Sequence, residues 1–296
     1  MIRLASLYCD ERHVTAQYRT DLKRVAQSMH AAGVTPSTLE DSIFNRWLAS
    51  LNQAPTTRSN YRRMGLTLWR FACDLKLAEH YPRRVVRVKA RPKAPVAWTM
   101  KDMESLLAAA ARQTYLFKRS KCPAAVFFEA WVRAGYETGL RFSDLLSLQC
   151  HQLREDRLYV AQNKTGVPVP KQLTQECVSA LRRMETLGDR KTFFRWAIAK
   201  KQLRAHFKKV CAAAGADGTS KWLRRTGATH CEIKQPGTAG RFLGQLSPGL
   251  AYRFYVDRSQ LNEECPTPPP IQNRTSGQCA ASASASDGQP RRPARA

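Results

Sequence analysis

The stretch Tyr136-Glu-Thr-Gly-Leu-Arg-Phe-Ser-Asp-Leu-Leu-Ser-Leu148 sits at the centre of the reading. Gly139 breaks one helix there, and Arg141 falls in the first turn of the next, which Leu145, Leu146 and Leu148 anchor. An arginine at a helix N-terminus adds a guanidinium fork to a positive dipole end, an arrangement suited to phosphate. Three later segments carry related chemistry. Leu158–Val167 puts Lys164, in Asn163-Lys-Thr-Gly166, at the tip of a tight hairpin, from which a lysine can reach into a groove. Lys221–His230 spaces Lys221 and Arg224 three residues apart on one helix face, with Trp222 and Leu223 turned to the core. Phe242–Asp257 ends one helix at Leu243-Gly244, starts another at Ser247-Pro248, and presents Tyr252 and Tyr255. Taken singly, each has an ordinary reading: a solvated arginine, a turn lysine, a packed aromatic.

Around these segments the periodicity is helical. Patterns cover about 100–113, with Thr99 as cap, then 123–137, 140–150, 174–186, 193–214, 220–234, 238–244 and 248–262. The one β-like interruption is Arg157–Ala161 with Val167–Pro170. Upstream, Val14, Tyr18, Leu22, Val25 and Met29 mark a helix that Gly33 ends. Thr35-Pro36 with Ser37 and Glu40 reads as a capping-box start for a second helix, through Phe44, Trp47, Leu48 and Leu51. A third runs from about Thr57 to Leu77, burying Tyr61, Met64, Leu68, Phe71 and Leu75 and carrying Arg58, Arg62, Arg63 and Arg70 elsewhere. The segment 81–98 holds six basic residues, three prolines and no acid, and reads as an interdomain linker lying along an anionic surface. Residues 263–296, rich in Pro, Ser and Ala, read as a disordered tail. The expected organisation is therefore 1–80, a linker 81–98, 99–262 and a tail 263–296.

Over its 296 residues the chain has 49 Lys+Arg against 23 Asp+Glu, a formal net charge of +26. The excess lies in the folded parts: 17 basic against 7 acidic residues in 1–95, 28 against 13 in 96–262, and 4 against 3 in the tail. Such a surface attracts polyanions, and nucleic acid is the leading partner. At 43% hydrophobic residues, wholesale disorder is excluded. No apolar run of about 18 residues exists, so no spanning helix is expected, and the start MIRLASLYCDERH turns acidic too early for a secretory signal. Nine cysteines without a CxxC pair read as reduced thiols of a cytoplasmic protein, with no zinc spacing. His206 with Cys211, and His230 with Cys231, lack further ligands and read as structural, and no carboxylate cluster offers a metal site.

Together and in this order, the four segments resemble the tyrosine recombinase (phage integrase) family. Thr138-Gly-Leu-Arg141-x-Ser-Asp-Leu is similar to its first arginine box, Asn163-Lys164-Thr-Gly to its hairpin lysine motif, and Leu223-Arg224-Arg-Thr-x-Ala-Thr-His230 to its second arginine box. Leu243-Gly244-x-x-Ser-Pro leading to Arg253-Phe-Tyr255-Val-Asp is similar to its nucleophile box. The resemblance covers about residues 10–262. It implies a mainly α chain: an N-terminal helical core-binding (SAM-like) domain, and an α-rich catalytic domain with a small β-sheet, the DNA breaking-rejoining enzyme fold, closing as a clamp on duplex DNA. Arg141, Lys164 and Arg224 match family catalytic positions. Two positions depart: the box-two histidine falls on Lys221, and the residue after Leu-Gly is Gln245. A lysine titrates far higher than a histidine, at about 10.4 against about 6.5, although nearby arginines disfavour its charged form. Gln245 can donate a hydrogen bond but carries no proton. The nucleophile position falls on Tyr255, with Tyr252 as fallback.

The implied reaction is DNA strand cleavage and rejoining through a 3′-phosphotyrosyl intermediate, which conserves bond energy and calls for no ATP, metal or other cofactor. The implied partners are double-stranded DNA and three further copies in a homotetramer on two paired sites, with no membrane. Backbone attraction is assigned to Arg58, Arg62, Arg63, Arg83, Arg84, Arg87, Lys89, Arg91 and Lys93. Lys221 and Gln245 motivate one rival, a recombinase-derived DNA-binding protein with weakened catalysis. A type IB-like topoisomerase or a telomere-resolving enzyme would share the chemistry.

Overall fold

A computed structural model describes residues 1–90, 93–161, 168–188, 190–245 and 248–261. The expected disordered tail, Lys164 and Arg91 lie outside the described residues. The chain divides into two compact units, Met1–Ala94 and Pro95–Ala296. Among the described residues no helix is long and apolar enough to cross a membrane, and no group of His, Cys, Asp and Glu could hold a metal.

The first unit is four helices: α1 (Ile2–Glu11), α2 (Ala16–Ala31), α3 (Asp41–Ser50) and α4 (Pro55–Asp74). Leu22, Val25 and Met29 of α2, Phe44 and Trp47 of α3, and Leu68 and Trp69 of α4 bury their side chains together, and Leu4, Ala5 and Cys9 of α1 complete that core. Helix α1 was not expected. Its apolar side, Leu4, Ala5 and Cys9 with Tyr8 at the edge, packs on α2 and α4. The Thr35 capping box forms, but it closes only a single 3-10 turn, Pro36–Thr38. Leu39 is then extended, and the second helix starts at Asp41. The third ends at Asp74 rather than Leu77, because Lys76 turns left-handed (φ 58°) and the Leu77 N–H folds back on the Ala72 carbonyl at 2.8 Å.

The first half of the basic segment is fastened to this unit. The Asp41 carboxylate accepts the N–H groups of Arg83 (3.1 Å) and Arg84 (2.9 Å), and Asn45 exchanges hydrogen bonds with Arg84 and Val86. Arg62 donates to the carbonyls of Val86 (2.7 Å) and Val85 (3.2 Å). Backbone is held while the side chains of Arg83, Arg84, Arg87 and Lys89 stay exposed.

The second unit is built on α6 (Ala124–Thr138), whose Phe127, Phe128 and Trp131 are fully buried. Around it pack α5 (Met100–Ala111), α8 (Gln175–Leu187), α9 (Lys200–Ala213) and α10 (Ser220–Lys234). The expected Thr99 cap of α5 is present as a reciprocal box with Asp102. Short helices α7 (Phe142–Leu146), α11 (Ala239–Leu243) and α12 (Pro248–Phe254) border the segments singled out in the sequence. Helix α9 begins at Lys200, not 193. Residues 191–193 instead run alongside 148–150, with the Cys150 N–H on the Lys191 carbonyl and the Phe193 N–H on the Leu148 carbonyl, both at 3.0 Å. The pattern over 140–150 is likewise only α7 and a 3-10 turn, and that over 248–262 only α12 and a second such turn.

The sheet has three antiparallel strands, β1 (Leu153–Arg154), β2 (Arg157–Ala161) and β3 (Pro168–Gln172), in the order β1-β2-β3. The hairpin was expected and β1, only two residues long, was not. Lys171 pairs with Leu158, which puts it on the buried face of the sheet.

Candidate active site

Helix α6 ends at Gly139, which is left-handed (φ 58°). A Cβ there would lie 2.5 Å from the Phe242 ring, so glycine is required by both backbone and space. The turn delivers Arg141 as the N-cap of α7. Because α7 has only five residues, its dipole adds little to the charge of the guanidinium. Arg141 lies 3.9 Å from the carboxylate of buried Asp144.

Arg224, on α10, is 3% exposed. Its two terminal nitrogens donate to the carbonyl oxygens of Gly139 and Leu243, the latter at 3.3 Å. Among the described residues its Nε has no partner. Burial lowers its pKa, and the charge of neighbouring Arg141 adds to that, while Tyr255 and Asp144 oppose it. A buried guanidinium with an unused donor is costly without an anion to complete it.

Tyr255 supplies the other face. Its ring lies 4.8 Å from the Arg224 guanidinium carbon. It follows α12, with its N–H on the Ala251 carbonyl at 2.9 Å. Its exit is anchored to α10: the Thr229 hydroxyl donates to the Tyr255 carbonyl (3.5 Å) and accepts the Asp257 N–H (2.9 Å). Asp257 is buried and accepts the Ala97 N–H at 2.9 Å, tying the start of the unit to this corner. Arg225 also borders Tyr255 and Asp257, and burial lowers its pKa.

Tyr252 of α12 and Tyr255 just after it meet different neighbours. The Tyr252 hydroxyl donates to Glu232, whose carboxylate also accepts the N–H groups of Gly237 and Ala239, whereas Tyr255 faces the arginines. Gln245 follows left-handed Gly244 and is half-buried, its side-chain oxygen without a partner among the described residues. Lys221 and Arg224, three apart on α10, differ in burial. Lys221 is exposed in the first turn of α10 and lines a cleft with Phe142, Arg204, Phe207 and Lys208, while Arg224 turns inward to its carbonyls. His230 is bonded to the Tyr136 hydroxyl and His206 to that of Tyr115, both at 2.9 Å, consistent with structural roles.

The sequence reading passed over Lys171. It is 7% exposed, its Nζ donates to the Phe242 carbonyl, and it lies 4.3 Å from the Phe242 ring centroid. Alternation of Lys171 with Leu173 was the available signal, since period two puts both on one face.

No described sequence family matches the chain, and no curated protein does. Solved structures do match. The chain is similar to a lambda integrase (75–356) dimer bound to a COC' core site, with 15% identity, a TM-score of 0.73, and 88% of this chain and 96% of that one covered. It is also similar to the Tn1549 transposon integrase in complex with circular intermediate DNA, at 15% identity and a TM-score of 0.64, over 86% and 94% of the two chains. A third likeness is to XerH site-specific recombinase bound to a palindromic difH substrate, at 13% identity and a TM-score of 0.63, over 84% and 79%. All three are tyrosine recombinases, and the chain has their fold, mainly helical with a small antiparallel sheet.

Proposed function

We propose that the protein is a site-specific DNA recombinase that cuts and rejoins strands through Tyr255. The observation that carries this is buried Arg224, held over the Tyr255 ring with one donor unused and within electrostatic reach of Arg141. A phenol attacks a phosphodiester only when cations neutralise the charge that develops on the phosphorus oxygens. Arg141 and Arg224 hold the two non-bridging oxygens, as planar guanidinium groups do best. The Tyr255 oxygen forms a bond to phosphorus, the bond to the 5′-oxygen breaks, and Lys164 protonates that leaving oxygen. The phenolic proton passes to Lys221 or water, and Gln245 donates to a phosphoryl oxygen. The 5′-hydroxyl of a second strand then reverses the step, so no ATP is consumed. Double-stranded DNA is the partner, engaged by four protomers on two paired sites.

The test uses a pool of nicked suicide duplexes with randomised arms, incubated with the full chain and recovered through detergent-resistant attachment to protein. Wild type and Tyr252→Phe should form the adduct, and Tyr255→Phe should not. An adduct from Tyr255→Phe overturns the assignment. Salt-sensitive DNA retention without any adduct identifies instead the DNA-binding protein with lost catalysis. Relaxation of supercoiled plasmid without a preferred site identifies the topoisomerase-like alternative.

A further inference from the structure

We propose that Lys171 is a positioning residue for strand cleavage: its ammonium fixes Phe242, and through Phe242 the two carbonyls that aim Arg224. The inference rests on the role given above to Arg224 and Tyr255, and concerns a side chain to which that role assigns nothing.

Three observations converge on Phe242. Lys171 grips this one residue twice, donating to its carbonyl and lying over its ring at 4.3 Å. The ring in turn fills the space beside two glycines: a Cβ at Gly139 would come within 2.5 Å of it, and one at Gly227 within 2.9 Å. The carbonyls that hold Arg224 belong to Gly139, against the ring, and to Leu243, the next residue along the chain. Phe242 therefore stands between both acceptors of the buried guanidinium, and Lys171 is what holds Phe242 from the sheet. Fixing a donor within a fraction of an ångström of its productive geometry is the usual task of such a supporting side chain.

A lysine is an expensive choice for this place. It occupies the buried face of β3 opposite Leu158, and no carboxylate pairs with it among the described residues. An apolar side chain would pack there at lower cost, so the charge itself is the feature to explain. An ammonium both strengthens the bond to the carbonyl and attracts the ring face.

The arrangement makes the clasp sensitive to alkali. Burial, and after it the charge of Arg224, lower the Lys171 pKa to about 8. The titratable neighbours on α10 are Arg224 and Cys231, and burial raises the Cys231 thiol. On α6, the carboxylate of Glu137 is taken by the N–H and hydroxyl of Thr174, both at 2.8 Å. Phe242 on α11 and Leu158 on β2 do not titrate. As pH rises through about 8, Lys171 loses its proton, the charge-assisted bond weakens, and Arg224 loses its fixed aim. Ionisation of a phenol nucleophile would by itself give the opposite trend, a rate that climbs with pH.

The experiment follows single-turnover adduct formation on the recovered suicide duplex from about pH 7 to about 9.5, beside DNA retention on filters. The wild-type rate should fall on the alkaline side with a midpoint about 8 while retention holds. Lys171→Met should retain DNA within about twofold, form adduct at least about tenfold more slowly at neutral pH, and show no alkaline fall. A wild-type rate that climbs steadily with pH, or Lys171→Met that cleaves like wild type, overturns the inference while leaving the cleavage reading in place. Absence of adduct from wild type at every pH overturns that reading and this role with it. Should Lys171→Met lose its native circular dichroism, carbon-13 labelled lysine in wild type decides. One side-chain resonance, missing in Lys171→Arg, should titrate at about 8 together with the rate. If every lysine titrates near its ordinary value of about 10.4, the inference fails.

Discussion

Tyr252 and Tyr255 stand three residues apart, yet their hydroxyl groups meet opposite chemistry. Tyr252 is held by the Glu232 carboxylate, an acceptor that keeps its proton in place, while Tyr255 faces the Arg224 guanidinium. Tyr252→Phe should therefore cost about 2 kcal/mol of stability, the worth of a hydrogen bond to a charged group, and spare adduct formation. Denaturant unfolding beside the adduct assay reads both. At Gly139 the demand is steric as well as conformational, so Gly139→Ala should destabilise the second unit and displace the Phe242 ring. Two histidines add a pH dependence of known sign. Burial lowers the pKa values of His206 and His230, so the unfolded chain binds protons that the folded chain refuses. The stability they contribute is complete above the unfolded value of about 6.5 and is lost as pH falls from there toward the lower folded values. Denaturant midpoints measured downward from neutral pH should drop, and His230→Gln should flatten part of that drop.

At the scale of elements, the sequence displays what is local and hides what is borrowed. Thr99 and Asp102 cap α5 with atoms three residues apart, and the box is legible for that reason. The Thr35 box was equally legible and misled, since a cap licenses a first turn and cannot say whether a second follows. Residues 193–199 carry Phe193, Phe194 and Trp196, apolar enough to look helical, but the Phe193 N–H is claimed by Leu148, 45 residues earlier. The site shows the same division. Arg141 and Arg224 stand out in the segments singled out from the sequence, whereas the two carbonyls that hold Arg224 come from the ends of two different helices, α6 and α11, and have no sequence signature. Lys171 was missed because a lysine in a strand ordinarily marks the solvent face. The strap over 83–86 gives the test that belongs here. Asp41→Ala removes the acceptor for two strap N–H groups, so trypsin should cut after Arg83 and Arg84 faster than in wild type.

For the whole molecule, the net charge of +26 divides between a general and a particular use. Arg83, Arg84, Arg87 and Lys89 are exposed on a backbone held from beneath, which suits contact with phosphates irrespective of base sequence. Arg87→Ser should weaken retention of all duplexes alike and reduce the slope of log affinity against log salt by about 1. Arg62 should behave differently despite equal charge, because its guanidinium is spent on the strap carbonyls. The particular use proposed above falls to the cluster of Arg141, Lys171, Arg224 and Arg225, opposed among the described residues by Asp144 and Asp257. Like charges gathered under one surface push the native state upward in energy, and any anion that binds there relieves the strain only while the unit is folded. Sulfate or a short oligonucleotide should accordingly raise the melting temperature of wild type, and raise that of Arg224→Met far less. Thermal robustness and the capacity to hold an anion then pull against each other in this protein: the substitutions that best stabilise the free chain are those that dilute this cluster, and each should slow formation of the DNA adduct.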